Sequence, residues 1–124
     1  MFQYRHIEGI EILNAKLPPE LQYWYRFGNI LELNYSAHTI DEYYCDYTNK
    51  LTMLLTDDSR KYRIELTCWN TDGKMSFDTV NGLFSGFAID ELAHAGIRKI
   101  FHLYSDEQDI AFDVYCEKIR AVLK

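Results

Sequence analysis

The chain has 124 residues, with 13 Lys+Arg against 19 Asp+Glu, giving a formal charge of -6. That length suits one domain, residues 1–124, and a composition 48% hydrophobic and 15% aromatic excludes a disordered chain. No apolar run approaches the roughly 20 residues that span a bilayer, and an acidic chain is repelled by nucleic-acid phosphates. Neither a membrane nor a nucleic acid is therefore expected as a direct partner.

In chain order, Ile10 and Ile12 alternate with Glu11, which predicts a strand from Ile7 to Leu13. Pro18-Pro19-Glu20 then opens a predicted helix over residues 19–27, since proline suits a first helical turn and Gly28-Asn29 supplies a stop. Beyond it the period changes to two. Leu31, Leu33 and Tyr35 alternate with Glu32 and Asn34, as in a strand with one face buried. Thr39 to Tyr47 reads as an edge strand, and Leu51 to Thr56 as a compact apolar strand ended by Asp57-Asp58-Ser59.

The clearest alternation follows, with Tyr62, Ile64, Leu66 and Cys68 on one face. Asn70-Thr71-Asp72-Gly73 predicts a turn, after which Lys74 to Phe77 pairs back as a hairpin. Phe84 to Ile89 is a strand with Gly86 as a candidate bulge, and Asp90 to Gly96 a helical turn capped by Asp90. Arg98 to Tyr104 and Ile110 to Cys116 complete the strands. Glu117 to Leu123 reads as either a short helix or a continued strand. The expected fold is mainly β (α+β): a single domain built as a curled antiparallel sheet, a β-sandwich or a barrel, with one or two short helices.

Catalytic and metal motifs do not declare themselves. Ser85 lacks the glycine two positions before it that a nucleophile elbow requires, because Leu83 stands there. His6, His38, His94 and His102 match neither His-Glu-x-x-His nor a Cys/His zinc spacing, so no metal and no cofactor is expected. His102 reads as a half-buried structural residue on the face of Ile100 and Tyr104. His94 stands near Asp90 and Glu91, which could orient it as a base. The clusters Asp57-Asp58 and Asp106-Glu107-Asp109 lack the spacing of a calcium loop and read as turns. Cys45, Cys68 and Cys116 are odd in number and widely spaced, and the N-terminus lacks the apolar run of a signal peptide, so reduced thiols in the cytoplasm are expected.

The distribution of charge says more. Residues 29–58 hold Lys50 against Glu32, Asp41, Glu42, Asp46, Asp57 and Asp58, a net of -5, while the rest of the chain nearly balances. Within that third, Asp41-Glu42-Tyr43-Tyr44-Cys45-Asp46-Tyr47 packs three tyrosines among three acids. Either the tyrosines pack inward beside solvated acids, or the segment is an interface. Tyrosine is enriched in interface cores, and an acidic patch steers and selects a basic partner.

Trp69-Asn70-x-x-Gly73-x-x-Ser76-Phe77, then Gly82-x-x-Ser85-Gly86-Phe87-x-Ile89, then Phe101-His102-x-Tyr104-x-Asp106 and Ile110-x-Phe112-x-x-Tyr115-Cys116-x-x-Ile119 complete the pattern. This half of the chain resembles small β-rich bacterial proteins, several of them immunity proteins of polymorphic-toxin and contact-dependent growth-inhibition systems. The resemblance implies a non-enzymatic cytoplasmic protein that binds one cognate toxin domain, a basic nuclease and above all a ribonuclease, and covers its active site. The contacts expected from the charge pattern are Asp41, Glu42, Tyr43, Tyr44, Asp46 and Tyr47, with Asp57 and Asp58 as rim charges, on a monomer rather than an oligomer. The competing expectation is a small-molecule-binding β-barrel or a minor enzyme using His94 or His102.

Overall fold

The computed structural model describes residues 1–2, 6–37, 49–75, 86–92, 100–105 and 112–124. Among them are one helix, α1 (Ile10–Lys16), and eight strands: β1 (Asn29–Ala37), β2 (Asn49–Thr56), β3 (Arg63–Trp69), β4 (Asp72–Met75), β5 (Phe87–Glu91), β6 (Phe101–Ser105), β7 (Phe112–Cys116) and β8 (Lys118–Leu123). They form two antiparallel four-stranded sheets, ordered β1-β2-β3-β8 and β4-β7-β6-β5, which share one hydrophobic core and do not close into a barrel. The mainly β expectation therefore holds in its sandwich-like form.

Two arms of chain run through both sheets. β3 continues into β4 and β7 into β8, and Trp69↔Lys118 on one side of the junction keeps the same register as Asp72↔Tyr115 on the other. The arms bend together without an inserted residue. Asn70 takes the bend at φ 56°, a left-handed conformation that asparagine tolerates better than most side chains. Its Nδ2 donates to Glu117 Oε2 at 2.7 Å, and the Glu117 amide donates to the Trp69 carbonyl. Asn49 completes the corner: Nδ2 donates to the Thr71 carbonyl and Oδ1 accepts from the Thr71 amide. The hairpin expected from Lys74 to Phe77 is thus corrected: β4 does not fold back on β3 but pairs with β7 in the second sheet.

Alternation explains the core. Met53 and Leu55 of β2, Ile64, Leu66 and Cys68 of β3, Leu103 of β6, and Phe112, Val114 and Cys116 of β7 all point inward and are buried. Burial of each large apolar side chain contributes about 1.5–3 kcal/mol. Cys68 and Cys116 come together near the corner as free, fully buried thiols; the neighbouring Cys116 and then burial push the Cys68 thiol well up from its ordinary value.

The N-terminal segment departs from expectation. Ile7 to Leu13 is not a strand. Gly9, at φ 89°, sits where a Cβ would run into the Ala121 carbonyl oxygen, and α1 starts there, with Ile10, Leu13 and Leu17 buried at helical spacing and Ile12 outside. A single parallel bridge, Glu8↔Arg120, ties this entry to β8. The continuous helix expected over 19–27 is two short 3-10 turns, Pro19–Leu21 and Trp24–Arg26. Gln22 separates them, because its buried amide donates to the Asn14 and Leu17 carbonyls. Asp90 belongs to β5 and caps no helix, and the 117–123 alternative resolves as strand β8.

Candidate functional site

The register places Ala37 opposite Asn49, so most of the acidic stretch is one hairpin, β1, its connection and β2, with Asp57 and Asp58 following in the β2–β3 turn. Asp41, Glu42, Tyr43, Tyr44, Asp46 and Tyr47 belong to that connection and lie outside the described residues, as do Cys45, His38 and the predicted strand from Thr39. What is described is the arm that carries them.

β1 ends its sheet. One residue too many at Leu31 shifts the register between Ile30↔Leu55 and Glu32↔Leu54, a bulge that returns Ile30 and Leu33 to the same face. Leu33 and Tyr35 then stand opposite Met53 and Leu51, on the face that is core elsewhere in the sheet. Yet Leu33 is 42% and Tyr35 58% exposed, whereas Met53 and Leu51 are buried. The buried face expected for β1 is therefore corrected: Leu31, Leu33 and Tyr35 are all exposed. Glu32, on the other face, is also exposed. Leu33 and Tyr35 thus leave apolar and aromatic area exposed on the strand that also carries the exposed Glu32.

The two expected rim charges separate. Asp58 is exposed at the hairpin base and accepts from Asn29 Nδ2 at 3.4 Å. Asp57 is only 3% exposed and closes the β2–β3 turn, accepting from the Lys61 and Tyr62 amides at 3.0 Å and from the Ser59 hydroxyl. Burial opposes its charge, but the Ser59 hydroxyl and Tyr62 amide outweigh that, and its carboxyl sits below the usual range. Asp57 is a turn residue, and Asp58 is the exposed charge of the two.

The second sheet carries a different cluster on its outer face. His102 is stacked between Tyr104 and Tyr115, with ring centroids 4.6 and 4.3 Å away, and its Nε2 pairs with Asp113 Oδ1 at 2.9 Å. Tyr104 donates its hydroxyl to Asp90 at 2.8 Å. The cross-strand register builds this face, setting His102 between Asp90 and Tyr115, and Tyr104 between Ala88 and Asp113. The imidazole has an orienting carboxylate, but among the described residues no hydroxyl or thiol hydrogen-bonds to it. His94, the other histidine singled out, lies outside the described residues.

Trp24, Tyr25, Phe2 and Phe87 wall a cleft of about 230 Å³ with Asp90 at its margin. Trp24 is buried there, and its indole nitrogen has no hydrogen-bond partner among the described residues. No grouping of three or more His, Cys, Asp or Glu that could hold a metal occurs among the described residues, and no described helix is long and apolar enough to cross a membrane.

Sequence reasoning assigned Leu33 and Tyr35 to the core; the signal that marks them for the surface is their place within the acidic third. Comparison with family models, curated proteins and solved structures finds no match to this chain.

Proposed function

We propose that this protein is a non-enzymatic immunity protein that binds a basic bacterial toxin domain, a nuclease and most specifically a ribonuclease, and covers its active site. One observation carries the reading. Three of the six excess negative charges fall on a single hairpin, where Glu32, Asp41, Glu42 and Asp46 stand against Lys50, two more follow at Asp57 and Asp58 just past its end, and β1, the last strand of its sheet among the described residues, exposes Leu33 and Tyr35. Such a surface is complementary to a protein that is basic because its substrate is a polyanion. Aromatic and apolar area would supply the desolvated centre, and the carboxylates the steering and the specificity. The protein acts as a monomer in the cytoplasm, where its thiols stay reduced.

The test uses the toxin domain encoded beside this protein's gene. Purified protein added in equimolar amount should abolish that domain's nuclease activity, and co-expression should restore growth to cells making it. A neighbouring toxin whose activity and toxicity are untouched by saturating protein would overturn the proposal. A second reading, small-molecule chemistry at His102, draws on its Asp113 partner; His102→Gln should leave toxin inhibition intact.

A further inference from the structure

β1 is the last strand of the order β1-β2-β3-β8, and among the described residues its far edge pairs with no other strand. Such an edge offers a row of backbone donors and acceptors to any extended chain that can reach it. Natural sheets blunt edges with lysine, proline or bulges along the strand. β1 has neither lysine nor proline, and its one register shift falls at its start, leaving Glu32 to Ala37 regular over six residues. Both faces of that stretch are open, with Glu32 and Asn34 exposed on one and Leu33 and Tyr35 on the other.

Two occupants are compatible with a bare edge: a second copy of the chain and an extended segment of another protein. Charge decides between them. Pairing two β1 edges would bring together two hairpins of net charge -3, and like charges directly opposed across a ladder are destabilising. A strand bearing lysine or arginine meets the same field with the opposite sign.

We propose that the partner binds by strand addition, laying an extended basic segment along the open edge of β1, its cationic side chains on the face of Glu32 and its apolar ones on the face of Leu33 and Tyr35. Main-chain hydrogen bonds would give the affinity, and the alternate side chains the specificity. This rests on the proposed binding of a basic partner and adds the mode of attachment.

The test is a titration of the isotope-labelled full chain with a nine-residue peptide alternating lysine and valine, followed by amide resonances and hydrogen exchange. The expected result is shifts concentrated on residues 29–37 and slowed exchange at alternate β1 amides. The same peptide N-methylated at alternate amides keeps its charge but cannot complete a ladder, so it should bind at least tenfold more weakly, and a glutamate–valine peptide should not bind. Equal shifts from the lysine peptide and its methylated form would overturn strand addition while leaving a charge-selected partner standing. Shifts centred on β8 or β4 would overturn the assignment to β1. If neither lysine peptide binds at low salt, both strand addition and the basic-partner reading fail.

Discussion

Asn70 and Glu117 meet where both arms of the molecule pass from one sheet to the other, the Asn70 amide donating to the Glu117 carboxylate at 2.7 Å. The contact joins residues 47 positions apart and holds the bend that lets one continuous ladder make two sheets. Asn70→Ala removes the donor and places a less tolerant residue at φ 56°, so it should cost on the order of 2–3 kcal/mol in urea unfolding. Asn70→Gly should recover the conformational part alone. Equal stability of all three proteins would show that the corner is not held by this pair.

Gly9 and Gly73 are required for a different reason. Each has a positive φ, and a Cβ on either would collide with a backbone carbonyl oxygen, that of Ala121 or that of Asp113. Gly9→Ala should destabilise by on the order of 2–4 kcal/mol and loosen α1 from β8, visible as faster exchange of the Ala121 amide, which donates to the Glu8 carbonyl. Gly73→Ala should free β4 from β7 in the same way.

Asp57 links stability to pH. Its folded carboxyl sits below its ordinary value of 3.8, despite burial, because the Ser59 hydroxyl and the Tyr62 amide favour the charged form. A depressed carboxyl stabilises the fold above its unfolded value, and that contribution disappears as pH falls through the folded one. Asp57→Asn should therefore lose about 1–3 kcal/mol at pH 7 and show a shallower stability decline below about pH 4 than the unaltered protein. Parallel pH curves would contradict this.

Cys68 and Cys116 should be chemically silent in the folded state, since both are buried and Cys116 and burial together hold the Cys68 thiol protonated. In a Cys45→Ser background, neither should react with a thiol reagent on the minute timescale until denaturant unfolds the chain, when both should react. Reaction of either in the native protein would contradict the packed corner.

Tyr35 and Leu33 separate binding from folding. Because both are substantially exposed, Tyr35→Ala and Leu33→Ala should change unfolding stability by less than about 1 kcal/mol, yet weaken toxin binding by more than about 1 kcal/mol each. Loss of stability without loss of affinity would return them to the core.

How far the sequence could be read follows from the same residues. β3 and β7 are legible because each alternates and buries one face, as Ile64, Leu66 and Cys68 do, and β2 because it is a compact apolar run closed by turn residues. α1 is hidden because Ile10-Glu11-Ile12 mimics alternation, while the helical spacing of Ile10, Leu13 and Leu17 becomes visible only once Gly9 has turned the chain. β4 is misplaced by a local rule: a turn with Gly73 ordinarily folds a strand back, but here pairing with β7 carries it into the other sheet. β1 alternates as a half-buried strand does, and no local pattern says that Leu33 and Tyr35 are left exposed. The acidic stretch is legible as charge alone; it starts with β1 but runs past β2 into the next turn, where Asp57 and Asp58 lie.

The most direct test of the central claim is the association rate of the neighbouring toxin domain with this protein and with its Asp41→Lys, Glu42→Lys, Asp46→Lys form, measured by stopped flow at low and high salt. With the unaltered protein the rate should fall at least about tenfold as salt screens the hairpin, and the charge-reversed form should start slow and respond little. Identical rates and salt slopes for the two proteins would contradict recognition through the acidic hairpin.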